Sequence, residues 1–154
     1  QTTLFTIMGE DDDANILSSL LHSNNINTDY ILKSDSRITT NKIRVMGRNQ
    51  QMLRLDAEVT HDISKEDEAG LIKNFSEYIK KEKPNVVIFE DYNKGVLTES
   101  LIESVIKICR EENILTAVDP KRKNFFAYQY ADIFKPNLKE VKDGLNILVD
   151  NLSA

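Results

Sequence analysis

Three short polar segments hold most of the residues in this chain that could do chemistry. They are Glu90-Asp91-Tyr92-Asn93-Lys94-Gly95, Asp119-Pro120-Lys121 and Lys135-Pro136-Asn137-Leu138-Lys139-Glu140. Each sets a carboxylate or a carboxamide close to a lysine. A lysine ammonium acts as a point charge on phosphate, and a carboxylate can help hold a hard cation that keeps several of its waters. Such a set suits the handling of an anionic ligand together with a metal. Each segment follows an apolar run, at residues 86–89, 115–118 and 133–134. If these runs are parallel strands, the three loops share the sheet edge where ligands of open α/β sheets bind. Strand ends also need polar turn residues for their own sake, so topology leaves a site and plain turns both open. Asn137 and Glu140 likewise have the spacing of a helix-capping pair.

The elements that must position these loops follow from hydrophobic periodicity. Residues 4–8 read as a strand running into Gly9 and the acidic group Glu10-Asp11-Asp12-Asp13, which suits a helix N-terminus. Ile16, Leu17, Leu20 and Leu21 then predict an amphipathic helix ending near Asn24-Asn25. Residues 29–33 form a short strand candidate. Residues 42–46 and 52–57 alternate polar with apolar, the period of a half-exposed strand, around the polar connector Gly47-Arg48-Asn49-Gln50-Gln51. This region reads as a small β-element with one wet face.

From Lys65 the rhythm becomes helix and strand in alternation. Leu71, Ile72, Phe75, Tyr78 and Ile79 mark a helix face that ends before Pro84. The run 86–89 is continuously apolar, which predicts a strand buried on both faces. Thr98 is placed to cap a helix carrying Leu101, Ile102, Val105, Ile106 and Cys109, and the last helix is expected over residues 138–149. The order predicts an α/β sheet with right-handed crossovers.

Composition narrows the function classes. The chain has 154 residues, one domain's worth, with 40% hydrophobic and 29% charged residues and a net charge of −5. The acidic balance argues against nucleic acid or an anionic membrane as partner. Cys109 has no second cysteine to pair with and lies in an apolar stripe, so a buried thiol is expected. His22 and His61 lack the companions of a zinc site. No apolar run approaches a membrane span and no signal peptide opens the sequence, so a cytoplasmic protein is expected. No G-x-G-x-x-G follows the first strand, which disfavours a dinucleotide-binding domain.

Several segments carry a specific resemblance. Asp91-Tyr92-Asn93-Lys94-Gly95-Val96-Leu97 is similar to the D-Y-x-K-G-x-L loop of heptose 7-phosphate kinases. Asp119-Pro120-Lys121, followed by Phe125, Tyr128 and Ala131, resembles their D-P-K stretch and the F-x-x-Y after it. Thr39, Lys42-Ile43-Arg44-Val45, Arg48-Asn49-Gln50-Gln51 and Arg54-Leu55-Asp56 with Glu58 resemble their T-x-K-x-R, R-N-Q-Q and R-x-D-x-E pattern. Gly9, Asp11 and Asp12 resemble a G-x-D that opens a helix, and Pro136-Asn137-Leu138-Lys139-Glu140 matches the P-N-x-x-E of the wider ribokinase (PfkB) family.

The resemblance implies a three-layer ribokinase-like α/β fold, a parallel sheet with helices on both faces, plus part of a small β lid at about residues 28–60. Residues 1–154 would be the central part of such a kinase domain, with the N- and C-terminal parts of the fold absent. It implies ATP and Mg2+ as cofactors, a sugar phosphate as substrate, and a homodimer formed through the lid strands. By position, Asp91, Lys94, Arg44, Arg48, Asn49 and Gln50 would contact the sugar phosphate. Asn137, Glu140 and Lys121 would serve the nucleotide phosphates, with Glu140 at the metal. The family's G-A-G-D motif, which carries the catalytic aspartate and an anion hole, does not occur in this sequence, nor does its G-G-x-x-N segment. Phosphoryl transfer depends on positioning and electrostatics, so this chain by itself is expected to be inactive.

Overall fold

The structure, a computed structural model, describes residues 2–147. The chain divides into two compact units, residues 1–71 and 72–154.

In the first unit, strand β1 (Thr2–Thr3) and β2 (Ile7–Met8) precede helix α1 (Asp12–Ser23), and β3 (Ile26–Asn27) and β4 (Leu32–Lys33) follow it. β1 pairs with β3 and β2 with β4, both parallel. Of the strand expected over residues 4–8 only Ile7–Met8 forms one, and β1 lies ahead of that span. Between them the chain is stitched to its neighbours: the Leu4 N–H donates to the Asn27 carbonyl at 3.0 Å, and the Leu32 N–H to the Thr6 carbonyl at 3.0 Å. The strand expected at 29–33 shrinks to β4 because a turn consumes its start. The Asp29 N–H takes the Asn27 side chain at 2.9 Å and the Ile31 N–H takes the Thr28 carbonyl at 3.1 Å.

Asp11 caps α1, accepting from the Ala14 N–H at 2.8 Å on one oxygen and from the Thr39 N–H at 2.7 Å on the other. The Thr39 hydroxyl in turn accepts from the Gly9 N–H at 3.0 Å, so one aspartate fastens the end of β2, the start of α1 and the chain ahead of the next strands. Hydrogen bonds from the Thr39 N–H first and the Thr39 hydroxyl second, with the Ala14 N–H adding less, hold the Asp11 carboxyl below its ordinary value. α1 ends as expected, with Asn24 as C-cap and Asn25 left-handed at φ 56°. Its apolar stripe is not buried: Ile16 and Leu20 are 58% and 56% exposed, and Ala14 is the helix's buried residue.

Strands β5 (Asn41–Gly47) and β6 (Gln50–Ala57) form an antiparallel hairpin. Its turn is two residues long, Arg48 and Asn49, at φ 45° and 65°, the handedness that matches strand twist. Gln50 and Gln51 thus belong to the strand and not to the connector. Cross-strand register puts Lys42 opposite Asp56 and Arg44 opposite Arg54, with Ile43 opposite Leu55 and Val45 opposite Leu53. Alternation then makes one face charged and the other apolar. The expected single wet face becomes two: Ile43, Val45, Leu53 and Leu55 are all exposed. At the hairpin's root, buried Arg37 donates to the carbonyls of Val59 and His61 at 3.2 and 3.1 Å.

Helix α2 (Lys65–Glu82) crosses the division between the units and buries Leu71, Phe75 and Ile79. In the second unit come β7 (Val86–Glu90), α3 (Glu99–Glu111), β8 (Leu115–Asp119), β9 (Ile133–Phe134) and α4 (Leu138–Leu145). The three strands lie in the order β7-β8-β9, all parallel, with Glu90 level with Asp119 and Val118 level with Phe134. Thr98 caps α3 through the Leu101 N–H at 3.1 Å. The helix buries Leu101, Ile102, Val105, Ile106 and Cys109, each apolar side chain worth about 1.5–3 kcal/mol. Burial, with the Asp132 charge second, pushes the Cys109 thiol up to about 11.

An aromatic cluster fills the far side of β9: Phe125 packs edge-on against Phe134 at 5.1 Å between ring centres, and Tyr128 against Phe89 at 5.6 Å. β7 is not buried on both faces as its apolar run suggested. Phe89 points inward, whereas Val86, Ile88, Leu115 and Ile133 stay exposed because no described residue covers that side of the sheet. α4 closes at a left-handed Asn146, φ 51°; the expected continuation to Val149 lies outside the described residues.

α4 makes one close approach that a substitution can probe. On an open helix Gly→Ala stabilises by about 1 kcal/mol. At Gly144 an added Cβ would stand 2.5 Å from the Phe125 ring. Gly144→Ala should therefore destabilise, by about 1–3 kcal/mol; thermal denaturation showing a higher Tm would contradict this packing.

Candidate functional site

The ends of β8 and β9 bring four charges into one row. Lys121 leaves β8 through Pro120 and pairs with the Glu140 carboxylate; Asp119 stands 3.8 Å from Lys121 and 3.4 Å from Lys135. Lys135, Asp119, Lys121 and Glu140 thus alternate in sign along the carboxyl edge of the sheet. Glu140 is buried, and its position is set twice over. Its other oxygen accepts from the Asn137 N–H at 2.7 Å, while the Asn137 side chain accepts from the Glu140 N–H at 3.0 Å. This is the capping box expected from the spacing, and it makes the start of α4 the scaffold of the charge row. The hydrogen bond from Lys121 comes first, and the one from Asn137 second, in holding the Glu140 carboxyl below its ordinary value. The same contact, with Asp119 and Tyr92 adding less, holds Lys121 above its own.

Each Glu140 oxygen therefore already accepts a hydrogen bond. A carboxylate offers further acceptor sites beyond these two bonds, and among the described residues no group of three or more His, Cys, Asp or Glu side chains is placed to hold a metal ion.

Asp91 lies in a different setting. It is 2% exposed. One oxygen accepts from the Tyr128 hydroxyl at 2.8 Å and the Asn124 amide at 3.2 Å; the other accepts from the Asn93 N–H at 2.8 Å. Burial first, then the Asp91 charge, push the Tyr128 phenol far above its ordinary range. The Asn124 amide also donates to the Leu97 carbonyl at 2.7 Å. Between these anchors the chain passes through Asn93 at φ 54°, half-buried Lys94, and buried Gly95 at φ 76°, where a Cβ would be strained. The Asn93 side-chain oxygen is buried and meets no donor among the described residues.

The structure thus brings Lys121, Asn137 and Glu140 together, with Asp119 and Lys135 joining them, and turns Asp91 inward beneath the loop that carries Lys94. Arg44, Arg48, Asn49 and Gln50 lie exposed on the hairpin of the first unit, on or next to its turn. Lys42 there bridges Asp56 and Glu58 at 3.1 and 2.8 Å, and Arg54 holds Asp56 at 2.9 Å. Asn124 went unread in the sequence, because its contact with Asp91 spans 33 residues and no local pattern marks it. Tyr128 was legible as part of a motif but not as the partner of a buried carboxylate.

The fold compares closely with solved sugar kinases. Phosphofructokinase-2 from Escherichia coli in complex with potassium superposes with a TM-score of 0.75 at 16% identity, over 97% of this chain and 47% of that one. The 2-dehydro-3-deoxygluconokinase of Thermotoga maritima gives 0.68 at 14% identity, over 97% and 49%. At such identities the likeness defines the fold, the ribokinase-like α/β class. Sequence carries the assignment further: the model of the pfkB family carbohydrate kinases matches residues 1–151, and the chain belongs to that family. Among curated relatives, the bifunctional protein HldE of Aliarcobacter butzleri is 35% identical over 144 residues, and that of Helicobacter pylori strain G27 is 33% identical over 147. Each alignment takes in 94% of this chain, which spans only 30% and 31% of those proteins. No helix among the described residues is long and apolar enough to cross a membrane.

The charge row predicts a pH response. Glu140, held below its ordinary 4.5, contributes stability above that pH and loses it as pH falls through its lower folded value. Lys121, held above its ordinary 10.5, contributes below that pH and loses it on strong alkalinisation. Glu140→Gln should therefore cost about 1–2 kcal/mol at pH 7. Denaturant titrations should show the gap to wild type closing below pH 4.5; a gap that widens on acidification would refute the pairing.

Proposed function

We propose that this chain is part of an ATP-dependent kinase that phosphorylates O1 of D-glycero-D-manno-heptose 7-phosphate, a cytoplasmic step toward ADP-heptose and lipopolysaccharide. The carrying observation is the row Lys135, Asp119, Lys121 and Glu140 at the carboxyl edge of a parallel sheet, in a chain of this family. HldE relatives bear the name bifunctional, which favours an adenylyltransferase half in the same protein.

In this reading Lys121 meets the ATP phosphates, with Lys135 as a second, exposed cation. Asn137 and Glu140 order the start of α4, and Glu140 keeps Lys121 protonated and aimed. Mg2+, when bound with the nucleotide, would neutralise phosphate charge, and Glu140 is the carboxylate that would help hold it. Lys94 meets the sugar 7-phosphate from the loop that Asp91 secures, and Arg44, Arg48, Asn49 and Gln50 serve the sugar from the lid. The catalytic aspartate of the family motif is not in this sequence, so the isolated chain is inert. The full-length protein should consume ATP with heptose 7-phosphate and not with fructose 6-phosphate or ribose 5-phosphate. Turnover on one of those instead would favour another phosphosugar kinase, and none on any would favour a non-catalytic nucleotide-binding or dimerisation module.

The exposed apolar hairpin face favours a homodimer through the lid strands. Ile43, Val45, Leu53 and Leu55 present an apolar patch that a second copy would cover. Leu53→Lys should convert a dimer to a monomer in sedimentation experiments, and an unchanged mass would exclude this face as the interface.

A further inference from the structure

The loop that carries Lys94 is tied at both ends to a single side chain. The Asn124 amide nitrogen has two hydrogens, and both are used: one toward the Asp91 carboxylate at 3.2 Å, the other toward the Leu97 carbonyl at 2.7 Å. Residues 92–96 are the span between. The Tyr128 hydroxyl secures the same carboxylate at 2.8 Å, and the opposite carboxylate oxygen takes the first N–H inside the loop, that of Asn93. All three side chains are buried, and Tyr128 is itself wedged against Phe89.

A loop that merely joined β7 to α3 would not need this. Its backbone passes twice through the left-handed region, at Asn93 and Gly95, and it buries one side-chain oxygen that meets no donor among the described residues. Such conformations persist when surrounding contacts over-determine them, and here those contacts are the amide of Asn124 and the hydroxyl of Tyr128. Both come from the segment that follows Lys121, so the loop bearing Lys94 is referenced to the same stretch of chain that bears the charge row.

We propose that Asn124 and Tyr128 are positioning residues for sugar-phosphate binding: they clip the 91–97 loop shut and thereby hold Lys94 at a fixed reach. The loop's service to sugar phosphate rests on the function proposed above; the clip itself does not. Tyr128→Phe removes one hydroxyl and keeps the ring, and Asn124→Ala removes both amide bonds.

The test uses the full-length protein and pairs amide hydrogen exchange with steady-state kinetics on heptose 7-phosphate. Both variants should speed exchange across residues 92–97 by about tenfold or more, while α3 amides at 101–109 keep their protection as proof of folding. KM for the sugar phosphate should rise by about tenfold while KM for ATP stays unchanged, since misplacing one group by about 1 Å is costly in this way. Unchanged exchange in the loop of a folded variant would overturn the clip. Loosened exchange with equal rises in both KM values would overturn the positioning role. Loosened exchange in a full-length protein that phosphorylates no sugar, wild type included, would uphold the clip and remove only the kinase reading.

Discussion

Everything chemical in the second unit depends on one constraint, the parallel pairing of β7, β8 and β9. Parallel strands end on the same side, and the register that levels Glu90 with Asp119 and Val118 with Phe134 delivers three loops to one edge without further instruction. Proline enforces the stop: Pro120 and Pro136 each sit just beyond a strand end, where the ladder no longer needs an N–H. The residues that follow each stop are therefore fixed in space by backbone pairing, and their side chains need only short reach to meet.

Within that frame the same atoms build the fold and the candidate site. The capping box at Asn137 and Glu140 would exist in any well-started helix, yet its carboxylate also orders Lys121. Asp91 is similar: a carboxylate that would be costly to bury alone is supplied with three donors and becomes the fixed point of a loop. A structural reading and a functional reading of these residues are not competitors, because the hydrogen bonds that satisfy the backbone also aim the charges.

How much of this was legible in the sequence depended on the range of the interaction. Caps and boundaries were local and read correctly: Thr98 before α3, Asn137 with Glu140, the left-handed close of α1, and α2 ending ahead of Pro84. The hairpin strands at 42–46 and 52–57 were also legible, but the short strands ahead of them were misread, because turn chemistry at Asn27 and Thr28 outweighed β propensity and because residues 4–6 make only scattered ladder bonds. Burial was the least legible property. A continuous apolar run such as 86–89 states that a strand is apolar on both sides, not what covers each side, and Ile16 and Leu20 mark a stripe that no described residue covers. Asp91 was singled out by its motif, but the contacts with Asn124 and Tyr128 that turn it inward span 33 and 37 residues, beyond any local pattern.

The bare apolar faces have a consequence for how the chain behaves in water. Val86, Ile88, Leu115 and Ile133 on the sheet lie open to solvent, and association through them is opposed by the mutual repulsion of a net charge of −5. Added salt works against that balance twice: it screens the repulsion, and where the anion is strongly hydrated, such as sulfate, it also strengthens apolar association. Colloidal stability of this chain is therefore an electrostatic property, greatest in dilute buffer well above its isoelectric point, and lost first by salting out.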